Sequence, residues 1–365
     1  MRALVSVRTV DSVHPIEGAD AIERARVGGW DVVVKKEENY KPGDLTIFFE
    51  IDAALPLDGF FGFLANRSPK RNVNDKTCHV VRTAKLRGVV SQGLMVLPKD
   101  LFPYRLETDD DEPWLVEGKD LTALMFEQYG VTKYEAPLPG QAGGTTPKGN
   151  FPNELVRKTD SERVQNLGNP WGKVPSHEVK EGDRERVREM YSVWDEIQKH
   201  KWIASEKIDG TSVTFINTID GLIVCSRNWM LNDGENLYWN MAREHELADF
   251  MPIDTYVQGE IYGEGIQKNR LGVKGVHLGV FASGFVHGKD GDWVDLTLPW
   301  VPAYDLVLPA TIDEAVEQAN GIKSKISKDR LAEGIVWWTT SPIIGLGDRP
   351  NFKAISNKYL LKEKD

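Results

Sequence analysis

The sequence predicts an α+β protein, with an N-terminal OB-type β-barrel followed by a second domain built on antiparallel sheet. Three observations lead there. Residues 1 to about 100 break into short strand-like runs separated by turn signals, the spacing of a small barrel. A stretch rich in Pro, Gly and Thr follows at 137–150. Beyond residue 200, strand-like runs carry single charged residues beside glycines. We therefore expect a barrel domain at 1–137, a linker at 138–150 and a second domain at 151–365.

The 365 residues suffice for two or three domains, and 41% hydrophobic with 27% charged residues is an ordinary globular composition. A formal net charge of -10 argues against a general basic coat but leaves room for a local basic groove. Apolar runs fall short of a membrane span, and the opening Met1-Arg2-Ala3-Leu4-Val5-Ser6-Val7-Arg8 returns to charge too soon for a secretory signal. A cytoplasmic monomer without a membrane partner is expected. Cys78 and Cys225 are far apart and suggest neither a disulfide framework nor a thiolate metal site.

In the first domain, strands are expected at 3–7, at 30–34 after Gly28-Gly29, and at 45–49 after the turn Lys41-Pro42-Gly43-Asp44. Further strands are expected at 80–82, 86–90 and 93–97. Arg82, Lys85 and Arg87 flank Gly88. Arg67, Lys70, Arg71 and Lys76 lie near Phe60, Phe61 and Phe63. Cations that track phosphates beside rings that stack on bases suit a nucleic-acid strand; a solvated loop over core phenylalanines fits the same letters. Residues 107–112 are expected to form an exposed acidic loop, and Asp120 is expected to cap a helix ending at Tyr129.

After the linker, Thr159 or Asp160 is expected to cap a short helix carrying Arg163, and a longer helix is expected at 185–200. The centre of the chain is Ser205-Glu206-Lys207-Ile208-Asp209-Gly210-Thr211-Ser212. Lys207 reads as sitting at the mouth of an antiparallel hairpin, with Gly210 allowing a tight path. Such a lysine is a nucleophile if burial or nearby cations keep its amine neutral. Asp209, two positions on, shares its face of an extended strand and can orient the lysine or a hydrated metal ion. Lys-x-Asp-Gly alone is weak, arising by chance in about one chain in ten of this length.

Companions follow in order. Arg227 ends the strand after the turn Asp220-Gly221 and can fork onto a phosphate. Glu260 lies in Tyr256-Val257-Gln258-Gly259-Glu260-Ile261-Tyr262-Gly263, where a half-buried acid needs a cation or a ribose hydroxyl. Phe281, among small residues, can lay its ring against a base, although a core role is commoner. Glu333-Gly334 opens another apolar strand, and Lys353 and Lys358 lie near the C-terminus. One lysine, two strand carboxylates, a ring and a terminal lysine pair form a set suited to nucleotidyl transfer. Asp209, Glu260 and Glu333 would supply hard oxygen ligands, and Lys353 would draw charge off a phosphate.

This order of motifs resembles the covalent nucleotidyltransferase superfamily of polynucleotide ligases and capping enzymes. Lys85-Leu86-Arg87-Gly88-Val89-Val90-Ser91-Gln92-Gly93, Lys158-Thr159-Asp160 with Arg163-Val164-Gln165-Asn166, and Glu206-Lys207-Ile208-Asp209-Gly210-Thr211 together resemble the Deinococcus-type ATP-dependent RNA ligases. In that family an OB domain precedes an antiparallel-sheet nucleotidyltransferase domain of the ATP-grasp-like ligase type. The resemblance implies ATP with Mg²⁺ or Mn²⁺ and a lysyl-adenylate on Lys207. It implies RNA 3′-OH and 5′-phosphate ends, expected in a nicked duplex, as the substrate. It also implies nucleotide contacts at Glu206, Arg163, Gln165, Asn166, Arg227, Glu260, Phe281, Lys353 and Lys358, and RNA contacts at Arg82, Lys85 and Arg87. One departure stands out: the last motif often reads Lys-x-Lys, and here Ile355 holds the second position. Rival readings are a capping guanylyltransferase, a DNA ligase, or a nucleic-acid-binding protein with a dead transferase domain. The leading barrel disfavours the first two, and the intact Lys207, Asp209, Glu260 and Glu333 disfavour the third.

Overall fold

The computed structural model describes residues 3–67, 70–103, 115–135, 145–168, 193–287, 294, 296–339, 343, 346 and 350–361. The expected acidic loop, most of the expected linker and residues 185–192 of the expected long helix lie outside them. Among the described residues no helix is long and apolar enough to cross a membrane. The chain divides into two compact units, one of residues 1–135 with 164–197, the other of 136–163 with 198–365. The division differs from a simple cut at the linker, because residues 164–197 return to the N-terminal unit.

In the N-terminal unit, β1 (Val5–Thr9), β2 (Ser12–Pro15), β3 (Ile22–Val27), β4 (Trp30–Lys35), β5 (Leu45–Phe49) and β6 (Ala53–Pro56) come first. Then come β7 (Lys70–Val73), β8 (Lys76–Val80), β9 (Ala84–Leu86), β10 (Val89–Ser91), β11 (Leu94–Val96), the helices α1 (Pro98–Leu101) and α2 (Thr122–Tyr129), and β12 (Thr132–Lys133). They form small sheets in the orders β1-β5-β11, β12-β6-β8-β7, β2-β3-β4 and β10-β9. β5 shows why the barrel closes around its own side chains. Ile47 and Phe49 enter one apolar cluster with Val5, Val7, Leu55 and Phe61, while Phe48 enters another with Trp30, Val32 and Met95. A strand buried on both faces reads as a largely apolar run, as Leu45-Thr46-Ile47-Phe48-Phe49 does, with the Thr46 hydroxyl satisfied by the Val96 carbonyl.

Several expectations are corrected here. The strand expected at 86–90 is two strands joined by a tight turn, where Leu86 pairs with Val89 and Arg87 and Gly88 both take positive φ of 50° and 84°. A two-residue hairpin loop of type I′ needs that geometry at both central positions. The strand expected at 80–82 ends at Val80. Asp120 does not cap α2 at the N-cap position; it accepts from Thr122 N at 2.8 Å, one residue further out. Of the expected helix at 185–200, α3 (Val193–Ile197) is described.

Residues 164–168 are built into the N-terminal unit. Asn166 Oδ1 accepts from Trp30 Nε1 at 2.7 Å and from Arg8 at 3.2 Å, and its amide donates to Glu50 at 2.6 Å. Gly29 must be glycine, since a Cβ there would lie 2.5 Å from the Gln165 Cα. These bonds explain why the segment groups with the barrel despite following the linker.

The second unit holds β13 (Pro147–Asn150), β14 (Glu162–Arg163), β15 (Ile203–Lys207), β16 (Thr211–Thr218), β17 (Gly221–Ser226) and β18 (Trp229–Leu231). α4 (Leu237–Glu244), α5 (Leu247–Phe250), β19 (Thr255–Gly263), β20 (Val276–Phe285), β21 (Ala303–Tyr304), α6 (Ile312–Gly321), β22 (Gly334–Trp338), β23 (Asn351–Ile355) and α7 (Asn357–Leu361) complete it. Six strands join in the order β13-β18-β17-β16-β19-β20 and five in the order β14-β23-β22-β15-β21. The six-stranded sheet buries Val213, Phe215, Val257, Ile261, Leu278 and Val280 with Tyr238, Met241 and Ala242 of α4. Asn236 starts α4 by accepting from the Tyr238 and Trp239 amides. The short helix expected to carry Arg163 is absent. Glu162–Arg163 is a strand paired in parallel with Phe352 and Lys353.

Candidate active site

Lys207 does not sit in a hairpin. It ends β15 in the five-stranded sheet, and the chain then crosses to β16 in the six-stranded one. Ile208, Asp209 and Gly210 make the crossing, so Asp209 lies beyond the strand and its placement does not follow from strand alternation. Gly210 passes so near β19 that an added Cβ would lie 2.3 Å from the Ile261 carbonyl oxygen. Glycine there serves a close approach between two backbones.

Strand register assembles the rest. Lys207 pairs with Gly334 and Gly334 with Ile355; Ser205 pairs with Val336, Val336 with Lys353, and Lys353 with Arg163. Residues opposite one another or two apart share a face. One face of this sheet therefore presents Lys207, Val336, Trp338, Lys353 and Arg163, and the other takes Glu206. In the six-stranded sheet Ser212 stands opposite Glu260, whose neighbour Ile261 points to the apolar side.

The amine of Lys207 lies 2.7 Å from Glu333 Oε2, with 23% of the lysine side chain and 14% of the glutamate exposed. Burial would lower the amine pKa, but Glu333, Glu260 and Asp209 together raise it above its ordinary value. The condition for a neutral amine is thus not met by these residues alone, and the nucleophile candidate is an ammonium held by carboxylates. Burial is also the main force on the acids. It pushes Glu260 up to about 7, with Glu333 and Asp209 adding repulsion and Lys207 opposing. It raises Glu333 as well, against the pull of Lys207.

Asp209, Glu260 and Glu333 were expected to hold a metal. Among the described residues no three His, Cys, Asp or Glu side chains form a ready-made cage. Asp209 instead accepts from the Tyr359 hydroxyl at 2.6 Å, and Glu333 binds Lys207. Crowded hard oxygen donors facing a single amine fit a hydrated Mg²⁺ or Mn²⁺ that completes its shell with water and phosphate oxygens.

Arg227 follows the end of β17 as expected and donates to Asp160 at 3.0 Å; Lys353 lies 3.7 Å from the same oxygen. Asp160 thus gathers two cations that would otherwise repel. Ile355 is buried, and Lys358 stands exposed on α7. Phe281 falls between the pairs Gln258–Ala282 and Gly259–Val280, without a cross-strand partner of its own. Such a bulge re-aims a side chain. Its ring lies 6.0 Å from that of Trp338 at 25°.

Several of the other residues expected to make contacts have partners of their own. The Glu206 carboxylate is 2% exposed and accepts from Ser324 Oγ at 2.5 Å, Lys325 N at 2.7 Å and the Tyr304 hydroxyl at 3.1 Å. It anchors the strand beside the nucleophile rather than facing a nucleotide. Gln165 and Asn166 are buried within the N-terminal unit. In that unit Arg82 bonds Asp52 at 2.8 Å and covers the Tyr134 ring, while Lys85 and Arg87 are exposed on the β9–β10 hairpin. Trp338 and Tyr359 were missed by the sequence reading. Trp338 was legible, being four residues beyond Gly334 on a strand of period two. Tyr359 was not, because it meets Asp209 across 150 positions.

The sequence matches an OB-fold domain family over residues 4–99 and the RNA ligase family over residues 200–355. Among solved structures, the Naegleria gruberi RNA ligase with PPi is 31% identical, with a TM-score of 0.76 and 100% of each chain covered. A lysine-to-alanine variant of that ligase with ATP and Mn is 30% identical, with a TM-score of 0.73 and 98% of each chain covered. A lysine-to-methionine variant with AMP and Mn is 31% identical, with a TM-score of 0.75 and 100% of each chain covered. A search of curated protein sequences returned no match.

Proposed function

Because this chain belongs to the RNA ligase family, we propose that it is an ATP-dependent ligase that joins RNA 3′-OH and 5′-phosphate ends through an adenylate on Lys207. The observation that carries this reading is the Lys207 amine, 2.7 Å from Glu333 and raised by Glu260 and Asp209, on the sheet face it shares with Lys353 and Arg163.

In the first step the ammonium gives up a proton to solvent, and the amine attacks the α-phosphorus of ATP and sheds a second proton to solvent. A P–N bond forms, the bond to the β-phosphate oxygen breaks, and pyrophosphate leaves. Glu333 receives the lysine's charge beforehand and orients the amine. A divalent cation, when bound, would neutralise the carboxylates and so ease deprotonation of Lys207. Lys353 and Arg227 would face phosphate oxygens once Asp160 shares them, and Phe281 would lie against the adenine. In the second step an RNA 5′-phosphate oxygen attacks the adenylate phosphorus and the P–N bond breaks. In the third a 3′-hydroxyl loses its proton to solvent and attacks the 5′-phosphate, a phosphodiester forms, the pyrophosphate bond breaks and AMP leaves.

Arg82, Lys85 and Arg87 would hold RNA phosphates. The barrel placed ahead of the ligase domain supports the narrower likeness to Deinococcus-type enzymes, and with it action on nicked duplexes. The test is sealing of a panel of nicked duplexes and single strands with RNA or DNA on each side. Sealing should require RNA at the 3′-OH and be fastest at a nick. Equal sealing of all-DNA nicks would overturn the substrate assignment.

A further inference from the structure

Lys207 is held by ladder bonds up to the end of β15, whereas Asp209 lies in the crossing between two sheets, where no strand pairing fixes it. Its carboxylate is fixed by one side chain from the far end of the sequence, through the 2.6 Å bond from the Tyr359 hydroxyl. Tyr359 is itself 6% exposed and held on several sides. The Arg270 guanidinium lies 3.7 Å from its ring centre and donates to its carbonyl oxygen. Its amide donates to Ser356 Oγ at 3.1 Å, and the Ser356 amide donates to the Glu333 carbonyl at 2.9 Å. A single turn of chain thus ties the Glu333 backbone to the Asp209 side chain, and Glu333 and Asp209 both act on the Lys207 amine.

We propose that Tyr359, clamped by Arg270, is a positioning residue for adenylation: it holds Asp209 in the orientation that serves Lys207, and couples that orientation to the placement of Glu333. This rests on the reading of Lys207 as the nucleophile. Tyr359 touches neither the amine nor the phosphate and acts through Asp209. A phenylalanine at 359 retains the ring for Arg270 and the buried volume, and removes only the hydroxyl.

The test is single-turnover adenylation of the full chain with ATP and Mn²⁺, run on Tyr359→Phe, Arg270→Met and Lys207→Ala. Loss of one hydrogen bond to a charged partner should slow Tyr359→Phe by about tenfold or more at saturating ATP, with KM for ATP within about twofold and Tm little changed. Arg270→Met should show the same split at about threefold or more, and decides the matter if Tyr359→Phe does not fold. A Tyr359→Phe rate within twofold of the parent would overturn the proposal. So would a loss of rate matched by a rise in KM or a fall in Tm, which would make the tyrosine structural. An adduct on Lys207→Ala would refute the nucleophile reading itself. If Lys207→Ala is inert while Tyr359→Phe is normal, only the positioning role falls.

Discussion

Glu260→Gln should make the metal-free protein more stable at pH 8 while crippling adenylation. Burial, with Glu333 and Asp209 nearby, pushes the Glu260 carboxyl from 4.5 up to about 7. Its folded value therefore lies above its unfolded one. Between those values the native state binds more protons, so this group's contribution is complete below pH 4.5 and is lost as pH rises through 7. Moving a carboxyl from 4.5 to about 7 corresponds to about 3 kcal/mol. At 2–4 °C per kcal/mol for a domain of this size, that is on the order of 6–12 °C in Tm. Glutamine mimics the neutral acid and should remove this slope. The assay is thermal unfolding from pH 5 to 8 with chelator present. The variant should match the parent near pH 5 and exceed it near pH 8, and Mn²⁺ with ATP should shrink the gap by giving the charged carboxylate a partner. Parallel pH profiles for the two proteins would show that Glu260 is not held in an environment hostile to its charge, and would remove the electrostatic argument for cation binding there.

Two further outcomes follow from the same structure. Replacing both Lys85 and Arg87 by Glu should leave lysyl-adenylate formation within about twofold while RNA binding weakens, with its salt slope reduced by about 1.5 as two phosphate contacts are lost; an unchanged slope would clear the hairpin of an RNA role. Glu206→Ala should destabilise the ligase domain by about 3 kcal/mol, because three donors lose a buried acceptor; a Tm unchanged by denaturation scans would contradict its anchoring role.

The charge substitutions are preferred to deletion of the first 150 residues, because such a chain would keep residues 164–197 without the barrel they belong to. Trp30 Nε1, Arg8 and Glu50 would be lost as partners of Asn166. That dependence could not be read from composition, since a Pro/Gly-rich stretch marks a flexible connection but not which side a later segment packs on.

Short-range signals carried much of the fold. The largely apolar runs at 45–49 and around Glu260 each correspond to an observed strand. What failed was pairing. Glu206-Lys207-Ile208-Asp209-Gly210 looks like one side of a hairpin, but Gly210 serves a crossing between sheets, and local sequence does not say which strand a run will join. The failure over Glu206 and Asp209 has the same root. Alternation separates Glu206 from Lys207, yet whether a buried acid faces a nucleotide or Ser324 depends on a contact across 118 positions. Of the candidate residues on strands, Lys207, Glu260 and Lys353 were legible within strand-like runs, whereas Arg163 reads as helical and instead pairs with Lys353. Asp209, which lies beyond the strand and is held by Tyr359, was not legible.

The central claim is that Lys207 takes the adenylyl group. The most direct measurement is peptide mapping by mass spectrometry after incubation of the full chain with ATP and Mn²⁺ without RNA. The account predicts a single AMP-modified peptide, with the modification on Lys207 in Glu206-Lys207-Ile208-Asp209-Gly210, and none in Lys207→Ala. An adenylate on any other lysine, or the same adduct in Lys207→Ala, would contradict it.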